Sequence, residues 1–187
     1  MYEILTGLGL AMPAGLNAYI PLLAVALADR YTGLIHLTAP YDVISSPVAI
    51  VLLIVLLLVE LLADKIPVID HVNDLVQSAI RPSSGAVLMM ASTDALPAMN
   101  PIVAMILGLT IAGAVHVAKA AVRPVVTAMT GGIGNPVVSA AEDGAAIGIT
   151  VIALVAPILI VVVIVAATYA VYAVYRRRAR RRHAPDS

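Results

Sequence analysis

The chain has no cysteine, no tryptophan and no phenylalanine, and only 12% of its residues are charged. Without cysteine it can form neither a disulfide nor a thiolate metal site, and it has no cysteine nucleophile. The start of the sequence, MYEILTGLGL, lacks the positive charges and the small-residue cleavage site of a signal peptide. We therefore expect the first apolar segment to be retained.

The sequence also lacks the motifs that identify several classes of enzyme. It contains no G-x-G-x-x-G dinucleotide motif, no P-loop, no H-E-x-x-H zinc motif and no G-x-S-x-G nucleophile elbow. These absences favour a protein that is not an enzyme and that holds no cofactor.

Apolar residues, in contrast, are abundant. They make up 61% of the chain, and the mean hydropathy is +1.03, whereas soluble globular proteins are about 45–50% apolar. A single domain of 187 residues leaves too much of its surface exposed to hide this excess from water. The composition therefore predicts an integral membrane protein.

Four segments have the apolarity and roughly the length of membrane-spanning helices, since about 20 residues cross a bilayer core. They predict an all-α polytopic bundle of about four spans that forms one domain over residues 1–175. The fourth segment is long enough to tilt, to protrude, or to bend at Pro157. The predicted spans are Leu5 to Ala28, Pro47 to Ala63, Pro101 to Val122, and Ala145 to Tyr175.

The connection between the second and third spans has two parts. Residues 68–80 alternate apolar and polar side chains with helical spacing, which predicts an amphipathic helix at the membrane surface or capping the bundle. The apolar stretch GAVLMMA that begins at Gly85 is too short to cross the membrane. Residues 84–96 are therefore predicted to be either re-entrant or a packed loop.

The C-terminal tail, residues 176–187, carries six of the eleven basic residues in the run RRRARRR. An arginine run next to a span favours a cytoplasmic C-terminus at the inner (plasma) membrane, with Tyr169 and Tyr172 at headgroup level. We expect the tail to contact anionic lipid headgroups rather than nucleic acid. Whether the chain also forms a homo-oligomer is left open.

With four spans, the N-terminus would lie inside with the C-terminus, and the loop from Asp29 to Ser46 outside. This topology places Lys119 and Arg123 near the outer end of the third span, against the positive-inside tendency. Either the number of spans is wrong, or these two side chains are held inside the protein.

Several ionisable residues fall within or beside the predicted spans. Glu60 and Asp64 lie four residues apart and share one helix face, as do His116, Lys119 and Arg123 on the third span. A charge at the centre of a membrane helix costs about 2.5–3.5 kcal/mol, so such groups tend to face partners, water or substrate. We therefore hypothesise that the two acids face the three basic side chains across the bundle.

The first span adds an amide to this hypothetical pocket. Pro13 and Pro21 interrupt the helix on either side of Asn17, and broken helices at membrane depth often line a cavity. The candidate residues for binding a solute or a proton are Asn17, Glu60, Asp64, His116, Lys119, Arg123 and Glu142.

Structural explanations compete with each functional one. The charges are also consistent with salt bridges that fix helix register, or with side chains that snorkel to the surfaces, and Asn17 is consistent with an interhelical hydrogen bond. Glu142 and Asp143 would open the fourth span, where the helix dipole stabilises acids. Asp70 and Asp74 are weak metal candidates, because two acids on an amphipathic helix are more often its solvated face.

Five motifs in order resemble a bacterial membrane family catalogued as domain of unknown function 4126. They are AGLNAYIP from Ala14, VELLADKIPVID from Val59, IRPSSGAVL from Ile80, HVAKAAVR from His116 and NPVVSAAED from Asn135. The resemblance covers roughly residues 5–165 and leaves the tail outside. It implies a compact helical membrane protein and assigns no activity.

The sequence therefore supports a leading hypothesis and two alternatives. The leading one is a membrane protein that binds or translocates a small polar or ionic solute, with proton coupling through Glu60, Asp64 and His116. The first alternative is a structural or accessory membrane subunit whose charges are internal salt bridges. The second is an enzyme that acts on lipid headgroups through Asp70, His71 and Asp74.

Overall fold

The computed structural model describes residues 2–63, 67–94 and 99–182. These residues form helices and connecting turns, without a β-strand among them. The α-helices are α1 (Tyr2–Ala14), α2 (Tyr19–Tyr31), α3 (Pro47–Ala63), α4 (Pro67–Thr93), α5 (Pro101–Thr130), α6 (Asn135–Val155) and α7 (Ile160–Arg182), with 3-10 helices at Tyr41–Ser45 and Pro157–Leu159.

The second and third predicted spans correspond to α3 and α5. Helix α3 has the predicted bounds, and α5 starts at the predicted Pro101. The Asn100 side chain accepts a hydrogen bond from the Ile102 N–H at 2.8 Å, and proline suits the first helical position because it has no N–H to satisfy. Helix α5 runs past the predicted end to Gly131, whose φ of 60° is the left-handed conformation that ends many helices.

The prediction of one helix from Leu5 to Ala28 is wrong, because α1 and α2 are separated by a turn at residues 15–18. The Asn17 side-chain oxygen accepts hydrogen bonds from the N–H groups of Tyr19 and Ile20, which opens α2. Pro21 falls in the first turn of α2, where its missing N–H has no intrahelical partner to lose.

The two short helices form an antiparallel hairpin. Tyr2 and Thr6 at the start of α1 line the same cavity of about 500 Å³ as Leu34 and Thr38, which follow α2. The start of α1 and the end of α2 therefore lie at one end of the molecule. The turn that joins the two helices lies in its interior. This contradicts the predicted topology, which placed the N-terminus and the loop after residue 29 on opposite sides.

The fourth predicted span is divided at Ala156 and Pro157 into α6 and α7, so the chain breaks at the proline that was expected to allow a bend. Helix α6 also begins at Asn135, well before the predicted start at Ala145. Glu142 and Asp143 therefore lie inside α6 rather than in its first turn. Stabilisation by the helix dipole does not explain them.

Helix α4 includes both residues 68–80 and the GAVLMMA stretch, which were predicted to be separate parts of the connection between the second and third spans. It is continuous through Pro82 and includes the GAVLMMA stretch, so that stretch is neither a loop nor a separate element. The C-terminal half of α4 is buried, with Leu88 and Met89 inaccessible to solvent. Whether residues 68–80 lie at a membrane surface stays a prediction.

Helix α4 packs against α1 and α5 at glycines. A Cβ added to Gly85 would lie 2.7 Å from the carbonyl oxygen of Gly108, so the backbones of α4 and α5 are in contact at this point. On α1, a Cβ added to Gly7 would lie 2.6 Å from the Met89 Sδ and 3.4 Å from its Cα, so α1 also lies close to α4. Small residues such as these permit close contacts between helices.

Two of the described helices, α5 and α6, are long and apolar enough to cross a membrane. Helix α3 and the segment Pro157–Ala170 are apolar but shorter. The number of four spans therefore stays a prediction, while the all-helical fold is confirmed for the described residues.

Candidate functional site: a buried charged cluster

Charged side chains from four helices meet in the interior of the molecule. Glu60 comes from α3, Arg81 from α4, a basic face from α5, and Glu142 from α6. We call the following residues the charged cluster: Glu60, Arg81, His116, Lys119, Arg123, Glu142 and Asp143.

Helix α5 contributes a continuous buried face. Its first half carries small residues on this face, including Gly108 and Ala112, and its second half carries His116, Lys119 and Arg123 at the same three- and four-residue spacing. The small residues bring α4 close to α5, and the long basic side chains then fill the space beyond that contact. The remaining faces of α5 are largely exposed and apolar.

Arg81 is the centre of the first part of the cluster. Its Nη2 lies 2.9 Å from Glu60 Oε1, and its Nε donates to the same oxygen at 3.3 Å. Its Nη1 lies 3.1 Å from His116 Nδ1. The side chains of Arg81 and Glu60 are both 0% exposed, so this ion pair is fully withdrawn from solvent.

Two uncharged side chains adjoin this ion pair. The Tyr19 hydroxyl lies beside Gln77 and within electrostatic reach of Glu60 and Arg81. Gln77 is 2% exposed, and its Oε1 has no hydrogen-bond partner among the described residues. A buried amide oxygen in this state is a ready acceptor for a water molecule or a protonated solute.

Glu142 is the centre of the second part. Its Oε2 lies 2.8 Å from Arg123 Nη2 and 3.2 Å from Lys119 Nζ. The Glu142 side chain is 14% exposed, so this carboxylate, unlike Glu60, retains access to the surface.

The hairpin turn between α1 and α2 is held against this second part. Lys119 Nζ donates to the Leu16 carbonyl oxygen at 3.0 Å, which satisfies a backbone acceptor beyond the end of α1. Asn17 Nδ2 donates to Asp143 Oδ1 at 3.2 Å. Lys119 therefore links the turn to Glu142, and Asn17 links it to the neighbouring acid.

The structure brings together most of the predicted site residues, although not in the predicted pairs. Glu60 was predicted to face the basic side chains of the third span, and the structure places the Arg81 guanidinium between Glu60 and His116. Lys119 and Arg123 bind Glu142 instead. Of the two explanations for their position, the structure therefore supports the one in which they are held inside the protein.

Sequence reasoning missed Arg81, because it lies just beyond a segment that was assigned to the membrane surface. A signal was present, since Gln77, Arg81, Ser84 and Leu88 follow one another at helical spacing. Arg81 thus shares a helix face with an apolar residue, and an arginine on a buried face is almost always paired.

Three other predicted residues receive no structural account. Asp64 lies outside the described residues, and the side chains of Asp70 and Asp74 also lie outside what the structure describes. Within the described part of the chain, no three His, Asp or Glu side chains converge as a metal site would require.

Among the residues that the structure describes, the cluster contains equal numbers of acidic and permanently basic side chains. Three acids, Glu60, Glu142 and Asp143, accompany three basic residues on α4 and α5. The arrangement can hold a proton on a carboxylate, or exchange an internal ion pair for a bound ion, without creating a large net charge.

Comparison with known proteins identifies a family for almost the entire sequence. A family model described as domain of unknown function (DUF4126) matches residues 4–177. No curated protein and no solved structure matches the chain.

Proposed function

We propose that this chain, which belongs to the family described as domain of unknown function (DUF4126), is a multi-pass membrane protein that binds and translocates a small ionic solute. The binding groups are Glu142, Lys119, Asn17 and Asp143, and the fully buried Glu60, Arg81 and His116 position the helices around them. The proton is the simplest such solute.

Membrane insertion is supported by the distribution of polar and apolar side chains. On α3, the apolar residues Leu58, Val59 and Leu62 are exposed, while Glu60 between them is buried. A soluble protein shows the reverse arrangement. An apolar exterior around paired charges suits a lipid environment, in which ionisable groups face the bundle interior.

We also propose that the protein lies in a bacterial inner membrane with its C-terminus in the cytoplasm. This location is supported by the arginine run that starts at Arg176 and by the exposed rings of Tyr169 and Tyr172 one and two turns before it.

Solute binding at the second part of the cluster is supported by the hairpin turn. Helix ends that meet inside a membrane have backbone groups without an intrahelical partner, and many transporters use such ends to hold ions. Here the end of α1 and the start of α2 meet beside Lys119 and Asp143. The observation that carries the proposal is the Glu142 carboxylate, which bridges two cations and still reaches the surface.

Reconstituted vesicles test this proposal directly. The purified protein is placed in liposomes with an internal pH-sensitive dye, and proton entry is measured under a potassium-driven membrane potential. We expect Glu142→Gln and Lys119→Met each to reduce the flux at least tenfold. The exposed acid Asp42, in the 3-10 helix Tyr41–Ser45, provides the control Asp42→Asn, which should conduct like the parent.

Equal flux in the Glu142→Gln protein and the parent would refute proton translocation through this carboxylate. No flux in any protein, combined with correct insertion, would favour the second candidate function, a structural or accessory membrane subunit. The observation that favours this candidate is the ion pair of Glu60 and Arg81, whose side chains are both 0% exposed to solvent. The lipid-headgroup enzyme stays a hypothesis, since the side chains of its residues lie outside those described.

A further inference from the structure

An apolar groove lies between α2, α3 and α4, away from the charged cluster. Its volume is about 500 Å³, which is within the range of about 300–1,000 Å³ typical of ligand sites. We call it the α2–α4 groove. Its walls include Leu22, Leu52, Leu53, Ile80 and Val87.

The groove offers no hydroxyl proton for a polar ligand. Two serines contribute to its wall, but Ser83 Oγ already donates to the Ala79 carbonyl at 2.8 Å and Ser84 Oγ to the Arg81 carbonyl at 3.0 Å. A serine hydroxyl that already donates a hydrogen bond to a carbonyl of its own helix gains little by binding a ligand. The groove therefore favours a hydrocarbon occupant.

The positively charged side chain of Arg30 lies near one end of the groove. Val43 and Ile44, in the 3-10 helix Tyr41–Ser45, belong to the wall. The carbonyl oxygen of the next residue, Ser45, accepts a hydrogen bond from Arg30 Nη1 at 3.1 Å. This contact fixes the Arg30 guanidinium beside the mouth of the groove.

Arg30 keeps most of its hydrogen-bonding capacity. The side chain is exposed, and no carboxylate among the described residues forms an ion pair with it, although Asp42 belongs to the same 3-10 helix as Ser45. A guanidinium has five N–H donors in a planar fork that fits phosphate oxygens. Helix rise places Leu22 about 12 Å further along α2 than Arg30, so the cation and the groove form one elongated site.

We infer that the α2–α4 groove holds one acyl chain of an anionic phospholipid, whose phosphate is bound by Arg30. The inference rests on the membrane location proposed above. A hydrocarbon tail matches the apolar walls, and an anionic headgroup matches the unpaired cation at the mouth. A helix from a second copy would match the walls but would leave the guanidinium without an anion.

The absence of native tryptophan allows a direct test. Leu52→Trp places a fluorophore in the groove wall, and Val51→Trp places one on the exposed lipid-facing side of the same helix, outside the wall. Each protein is reconstituted in mixtures of phosphatidylcholine and phosphatidylglycerol, with brominated acyl chains on one lipid at a time. Bromine quenches tryptophan on contact and so reports which lipid is adjacent.

We expect quenching of the Leu52→Trp protein to show an approximately fivefold preference for brominated phosphatidylglycerol, the factor that corresponds to one basic residue near an anionic lipid. Quenching of the Val51→Trp protein should show no preference. In the Leu52→Trp background, Arg30→Gln should abolish the preference and Arg30→Lys should retain part of it. Arg176→Gln, an exposed arginine in the tail, should leave the preference unchanged.

Equal quenching of the Leu52→Trp protein by both lipids would overturn the inference, and so would a preference that survives Arg30→Gln. Protection of the groove fluorophore from both lipids, with the Val51→Trp protein still quenched, would show that protein covers the groove. If neither variant is quenched by any lipid, the membrane location itself fails. The two failures are therefore distinguishable.

Discussion

Glu60 is a carboxylate on a helix whose other faces suit hydrocarbon, and the Arg81 guanidinium binds it in the interior. Removing both charges from water carries a penalty that only close geometry and further hydrogen bonds offset. Arg81 supplies both, through two nitrogens on Glu60 Oε1 and a third beside His116. Each of these residues therefore helps to stabilise the other in the interior.

Removal of one member of this pair should be more damaging than removal of both. Glu60→Gln or Arg81→Met alone leaves an uncompensated buried charge or donor and should lower the free energy of unfolding by about 3–5 kcal/mol. The double variant should lose much less than the sum of the two. Thermal unfolding in detergent, arranged as a double-mutant cycle, measures the difference. Additive losses would mean that the pair is not energetically coupled.

Asn17 should be sensitive for a different reason, since its oxygen and nitrogen have separate partners. Asn17→Ala removes the acceptor for the Tyr19 and Ile20 N–H groups and should cost about 0.5–2 kcal/mol. Asn17→Ser keeps an acceptor and should lose less. Asn17→Asp keeps the acceptor but places a carboxylate against Asp143, so its destabilisation should decrease as the pH falls. A pH-independent loss in Asn17→Asp would contradict the contact with Asp143.

The sequence identified the ionisable residues of the cluster better than it identified their partners. Glu60, His116, Lys119 and Arg123 were recognisable because charge inside an apolar segment is rare. Pairing depends on which helices are neighbours, and a single sequence does not encode that directly. Arg81 was missed because its helix appeared polar over residues 68–80 and was assigned to the surface.

At the scale of elements, glycine contacts set the distance between α4 and α5. Gly108→Ala should destabilise the protein, because the added Cβ would meet the Gly85 carbonyl and the Met89 Cβ, the latter at 2.7 Å. A loss of about 1–3 kcal/mol is typical of overpacking. Gly144 and Gly148 on α6 have nothing within 4 Å of an added Cβ, so Gly144→Ala and Gly148→Ala are matched controls. These should be neutral or stabilising by up to about 1 kcal/mol through helix propensity.

Unfolding midpoints of the three variants provide the measurement. If Gly108→Ala were as stable as the two controls, the close approach of α4 and α5 would be refuted.

Helix boundaries were predictable where local chemistry determines them. Proline at the start of α3 and of α5, and the Asn100 side chain, define those ends within a few residues. The break at Pro157 was one of three expected outcomes. The hairpin was not predictable, because the apolar run from Leu5 to Ala28 has the length of one span, and only contacts with α5 and α6 reveal the turn at Asn17.

At the scale of the whole molecule, the hairpin determines which chain segments share an end of the bundle. Tyr2 and Leu34 lie at the open end of the α1–α2 hairpin, away from its turn. Val155, at the end of α6, lines the same cavity and lies at this end too. Helix α6 has 21 residues and therefore extends about 30 Å away from that end. Ile133, which precedes α6, lies at the opposite end.

Cysteine labelling should confirm this arrangement, since the native chain has no cysteine to interfere. Tyr2→Cys and Leu34→Cys, both at exposed positions, should react with a membrane-impermeant maleimide from the same side of the membrane. Ile133→Cys, also exposed, should react only from the other side. Labelling of Tyr2→Cys and Leu34→Cys from opposite sides would restore the single-span topology and refute the hairpin.

The pair of Glu60 and Arg81 also constrains how the protein is made. These two residues are 21 positions apart, so the ribosome delivers the acid well before the base that neutralises it. In the membrane location proposed above, α3 would during that interval carry this carboxylate without the arginine that binds it, which disfavours its release from the insertion machinery. We therefore expect α3 to wait for α4 and to leave the translocon together with it. On this expectation, insertion would be cooperative between consecutive segments, and synthesis of Arg81 would set the time at which α3 is released.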